Sequence, residues 1–87
     1  SLEPGAFFRV LREQYKAGLL NNDSYKEAIN FQIDTMIAIR TNTKRAGQWN
    51  ETGKPQFEQG LAELMESLKG FTPEEIKAIR DRLKANK

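Results

Sequence analysis

The side chains able to do chemistry in this 87-residue chain are carboxylates, cations and one tryptophan, because the sequence holds neither His nor Cys. That composition removes imidazole acid–base catalysis, thiol nucleophiles, disulfide scaffolds and every Cys/His zinc site. The acids that cluster are Glu58, Glu63 and Glu66 on one segment, with Glu74 and Glu75 opening the next. Glu63 and Glu66 stand about one helical turn apart and could both point outward. Paired carboxylates serve as acid and base only where burial or mutual repulsion drives their pKa values apart, and a solvated helix face does neither. Asp34 is set among apolar neighbours, yet on a helical wheel it falls with Glu27, Asn30 and Thr41, which reads as an exposed or hydrogen-bonded acid. No phosphate-cradling glycine loop, dinucleotide fingerprint, HExxH pair or EF-hand pattern occurs. The expectation is a protein that is not an enzyme, with no catalytic residue, no metal site and no cofactor.

The cations are placed unevenly. The net charge of +2 resolves into −1 over residues 1–39, +3 over 40–54, −4 over 55–76 and +4 over 77–87. The first basic zone combines Arg40, Lys44, Arg45 and Lys54 with small polar residues and Trp49. Such a segment can grip phosphates while the indole stacks on a base, which gives non-specific nucleic-acid binding as one reading. The other reading places Arg40, Lys44 and Arg45 at a helix C-terminus, where cations complement the dipole, and folds Trp49 back over the core. The second zone, Lys77, Arg80, Arg82, Lys84 and Lys87, follows the acidic segment, and intramolecular pairing accounts for it. A helix-turn-helix fits poorly. With Gly18 as its turn glycine, Ser24 and Glu27 fall where apolar residues are needed. With Gly70, Glu66 occupies the position that must be small, and Glu74 and Glu75 would face phosphate.

The elements that must position these residues are all helical: a compact bundle of about four helices, roughly 4–18, 24–45, 55–69 and 73–85. A polar, glycine-containing loop separates the second from the third. The first opens at Pro4 with Phe7, Phe8, Leu11 and Tyr15 at spacings of three and four. Ser24 to Glu27 matches a capping box for the second, which carries Tyr25, Ile29, Ile33, Met36, Ile37 and the Arg40 stem on one face. Phe57, Leu61, Leu64, Met65 and Leu68 line the third, which Gly70 ends. Thr72 to Glu75 caps the fourth, with Ile76, Ile79 and Leu83 inward. The short link between the last two predicts a hairpin with a steep or antiparallel crossing.

The whole reads as one small domain, with residues 1–3 a tag or a disordered entry. No apolar run reaches the ~20 residues of a membrane span, and the start has no signal-peptide pattern. The cytoplasm is the expected compartment, and the lack of Cys suits it.

Helix two is apolar on more than one side, with Phe31 opposite its main stripe and Ile39 beside it, so it is expected to be the hub that the other helices contact. The alternative gives Phe31, Ile39 or both to a partner surface. The stretch from Leu11 through Ala17-Gly18 and Tyr25 to Ile29 resembles the short helical hairpins of bacterial proteins, of which the SHOCT segment is the best known. That resemblance spans about a fifth of the chain and implies an oligomerisation or attachment role. These observations favour a small interaction or oligomerisation module, an adaptor or accessory subunit, binding a protein partner or itself. Its working surface would be Phe8 (or Phe7), Phe31, Ile39 and Trp49. Nucleic-acid binding through Arg40, Lys44, Arg45 and Lys54 is the alternative.

Overall fold

Two like exits and two capping boxes fix several of the helix ends. A computed structural model of the chain describes residues 5–85. Helix α1 covers Ala6–Lys16, α2 Asn22–Arg45, α3 Lys54–Met65 and α4 Pro73–Ala85, with a π-helical turn over Trp49–Gly53 leading directly into α3. There is no strand among the described residues, and the all-α bundle is as the periodicity predicts. The readings made for residues 1–3 and for Pro4 lie outside the described residues.

Helices α1 and α2 both leave through an Ala-Gly pair. Leu19 N donates to Gln14 O at 2.9 Å and Gly18 N to Tyr15 O at 3.1 Å; Gln48 N donates to Thr43 O at 2.9 Å and Gly47 N to Lys44 O at 3.1 Å. Gly18 and Gly47 close these turns at φ 79° and 71°, a left-handed geometry that a Cβ would penalise.

Helix α2 starts earlier than expected. Asn21, rather than Ser24, is the capping residue. Its side chain accepts from Ser24 N at 2.8 Å while Ser24 Oγ accepts from Asn21 N at 3.0 Å. The box at α4 forms as predicted, with Thr72 N donating to Glu75 Oε1 and Glu75 N to Thr72 Oγ1.

Helix α3 is shorter than its apolar stripe. Glu66 N and Ser67 N turn back to Glu63 O and Leu64 O, three residues away, because the Ser67 hydroxyl itself takes the Glu63 carbonyl at 2.8 Å. Gly70, expected to end the helix, instead has φ 87° in the later turn that brings Phe71 N to Leu68 O.

Helix α2 is the hub. The core gathers Phe8 from α1, Tyr25, Ile29 and Ile33 from α2, Leu64 from α3, Phe71 from the turn before α4, and Ile79 from α4. Burying each such side chain contributes about 1.5–3 kcal/mol. Paired positions fix the directions. Met36 meets Gly60 and Tyr25 meets Ser67, so α3 runs antiparallel to α2. Lys26 meets Glu75 and Arg40 meets Leu83, so α4 runs parallel to α2 and therefore antiparallel to α3.

The molecule measures 41 × 30 × 16 Å. Helix α2 keeps one side bare to solvent. That side carries Phe31 and Ile39.

Candidate functional site

The bare side of α2 forms one wall of a groove of about 430 Å³ between α1, α2 and α3. Phe7 lines it from α1, Phe31, Met36 and Ile39 from α2, and Phe57 from α3. Phe7, Phe31 and Ile39 are 51%, 66% and 49% exposed, so three large apolar side chains that the core does not claim converge on one concavity. Gly60 shapes its floor, since a Cβ there would stand 3.0 Å from Met36 Cε.

Phe31 and Ile39 are thus on the surface, two turns apart along the same groove wall, while the third expected anchor, Phe8, is a core residue at 2% exposure and no part of a partner surface. The side chain that takes its place is Phe7, and the spacing carried the signal. Phe8, Leu11 and Tyr15 form the i, i+3, i+7 stripe, which leaves Phe7 with Val10 on the adjacent, exposed face. Met65 likewise leaves the α3 stripe and is exposed.

At one end of the groove, two aromatic rings in contact are flanked by two cations. The Arg40 guanidinium carbon sits 4.8 Å from the Phe57 centroid, Phe57 meets Trp49 edge to face at 5.9 Å, and Lys44 Nζ lies 4.9 Å from the Trp49 centroid. Cations over ring faces contribute about 0.5–2 kcal/mol each, more where water is excluded. Trp49 is half-buried in this row, neither wholly core nor presented flat to solvent. The π-helical turn holds it there: Thr52 N and Gly53 N both donate to Gln48 O at 3.0 Å, where a featureless loop was expected.

Arg40 is 5% exposed and does not belong with the free cations of the basic segment. Its Nη2 donates to Leu83 O at 2.9 Å, and its Nε has no acceptor among the described residues. Burial alone pulls its pKa below the ordinary value, with no carboxylate beside it to oppose the shift. Lys44, Arg45 and Lys54 remain exposed and form no ion pair among the described residues.

The acids are engaged elsewhere. Glu63 turns inward to α1 rather than out to solvent, taking Arg9 Nη1 at 2.7 Å on Oε2 and Arg12 Nη2 at 2.9 Å on Oε1. Those hydrogen bonds hold its carboxyl below the usual range, so it is a fixed anion rather than a proton donor. Asp34 is exposed and pairs with Arg82 Nε at 3.3 Å, and Lys77 pairs with Asp81 at 2.8 Å. Among the described residues, Arg82 of the basic tail pairs with α2 and Lys77 pairs within α4, rather than with the acidic α3 as the charge pattern suggested; Lys87 lies outside them. No group of three or more acids converges as a metal site would require among the described residues, and no helix is long and apolar enough to cross a membrane.

Comparison with family models, with curated proteins and with solved structures returns no match. Residues 11–29 form the junction of α1 and α2, with the turn at Gly18.

Proposed function

We propose that the chain is a small helical protein–protein interaction module, an adaptor or accessory subunit of a larger assembly, that binds through the groove between α1, α2 and α3. The observation that supports this is the convergence of Phe7, Phe31 and Ile39, all outside the core, on one concavity with Phe57. Apolar anchors gathered in a depression and bordered by Gln32, Thr35 and Gln56 have the make-up of a binding centre with a polar rim. The cytoplasm, which a cysteine-free sequence suits, is the setting this reading takes.

A photo-crosslinking residue placed at position 31 or 39, with one at exposed Ala78 as control, tests this in cells that make the protein. Discrete protein adducts at 31 and 39 but not at 78 are expected, and an adduct of twice the chain mass would identify a second copy. Nuclease-sensitive adducts at the groove would replace this reading by the nucleic-acid one, for which Lys44, Arg45 and Lys54 supply the remaining cations.

A further inference from the structure

We infer that the groove receives an amphipathic helix from a partner protein, oriented so that acidic residues on that helix meet the Arg40 end. This rests on the groove being the binding surface and adds the chemistry of what fills it. The wall of α2 from Phe31 to Arg40 spans about 14 Å at 1.5 Å per residue, room for two to three turns of helix. A helix laid there would anchor apolar side chains at i, i+3 or i+4, and i+7 among Phe7, Phe31, Ile39 and Phe57.

Charge identifies which helix. Among the described residues Arg40 is the one charged group lining the groove, and it has a backbone carbonyl and a ring there but no carboxylate. Beyond it lie Lys44, Arg45 and Lys54, also without ion pairs, against a single acid, Glu51, in the segment 40–54. Elsewhere most cations among the described residues are compensated: Arg9, Arg12, Lys16, Lys26, Lys77 and Arg82 hold carboxylates, Arg80 and Lys84 lie in the field of Asp81, and Lys69 has no ion pair. Uncompensated positive charge is thus concentrated where the apolar groove ends. An incoming carboxylate gains most there, because a cation in a partly dehydrated site is screened less than one in open water. A second copy fits less well. A two-fold contact centred here would set one concavity against the other.

Panning a library of random 14-residue peptides on the full chain tests the assignment. The enriched peptides are then titrated by Trp49 fluorescence at low and moderate salt. The expected winners combine apolar residues at three- and four-residue spacing with two or more Asp or Glu at one end. Their affinity should fall about tenfold or more on the exposed Lys44→Glu/Lys54→Glu double change, and again with salt. Ile39→Asp should abolish it. Winners that need Ile39 but carry no acidic bias would overturn the charge assignment and leave the groove reading standing. A library yielding nothing sensitive to Ile39→Asp would remove both. Self-association of the chain that Ile39→Asp abolishes would make a second copy the occupant and overturn the partner helix. Competition by single-stranded RNA through Lys44 and Lys54 would overturn it in favour of nucleic acid.

Discussion

Arg12 holds Glu63 at two points, its Nη2 donating to the Oε1 carboxylate oxygen at 2.9 Å and its Nη1 to the main-chain oxygen at 3.1 Å. The same Nη1 also reaches Ser67 Oγ at 3.0 Å, so one guanidinium fixes the last turn of α3 against α1. Arg9 takes the second carboxylate oxygen. Glu63→Gln keeps the shape and removes the charge that both arginines share. It should lower stability by about 1–2 kcal/mol, read as an earlier midpoint in urea at pH 7. A midpoint unchanged from the parent would show that the pairs contribute nothing net.

The same contacts set a pH dependence. Glu63, Glu75 and Asp81 have pKa values below their ordinary ones, held there mainly by hydrogen bonds from Arg9, Lys26 and Lys77 respectively. The unfolded chain therefore binds protons at higher pH than the native one. The stability these groups contribute is complete above the ordinary carboxylate range and is lost as pH falls through the native values. Tyr25 runs the other way. Burial raises its pKa, so its contribution is complete below the ordinary tyrosine value and is lost as pH rises through the native one. With no His in the chain, urea midpoints should stay flat between roughly pH 5 and 9 and fall on both sides. Glu63→Gln should shallow the acid limb and leave the alkaline one alone.

Tyr25 donates its hydroxyl to Ser67 O at 2.7 Å from a fully buried position, with its ring stacked on Tyr15 at 4.2 Å. Tyr25→Phe keeps the stack and orphans the carbonyl. A loss of about 1–2 kcal/mol is expected, measured by urea unfolding.

Phe8 and Phe31 separate core from surface. Phe8→Ala should cost about 3–5 kcal/mol, because it opens a cavity among Tyr25, Ile29 and Leu64. Phe31→Ala, at a position two-thirds exposed, should change stability by no more than about 0.5 kcal/mol. Comparable losses at both positions would move Phe31 into the core and take away the groove wall.

The helices and the inward face of α2 were readable because periodicity and caps are local: Tyr25, Ile29, Ile33 and the Arg40 stem all lie where the wheel puts them. The start of α2 and the end of α3 were not, because each depends on local side-chain hydrogen bonding. Asn21 outbids Ser24 for the cap, and the Ser67 hydroxyl takes a carbonyl that the helix would otherwise use. Of the groove, Phe31 and Ile39 were legible as apolar residues off the main stripe. The row Arg40, Phe57, Trp49, Lys44 was not, since it joins α2 to α3 through a π-helical turn with no apolar period to reveal it.

Two buried glycines give that row its sharpest test. A Cβ on Gly53 would lie 2.6 Å from Thr43 Oγ1 and 2.8 Å from Trp49 Cε3, so alanine there must push apart α2 and the turn that seats the indole. The nearest atoms to a Cβ on Gly60 are those of Met36, at 3.0 Å to Cε and 3.4 Å to Sδ, and that side chain can swing aside. Replacing a mid-helix glycine by alanine also gains up to about 1 kcal/mol of helix propensity. Gly53→Ala should therefore cost about 1–3 kcal/mol and shift Trp49 emission to longer wavelength, as the ring loses Phe57. Gly60→Ala should be neutral or slightly stabilising, with emission unchanged. Urea unfolding followed by both Trp49 fluorescence and circular dichroism distinguishes them. The reverse order of stabilities would mean that the close approach governing the bundle is the one between α2 and α3 at Met36, and not the one at Trp49.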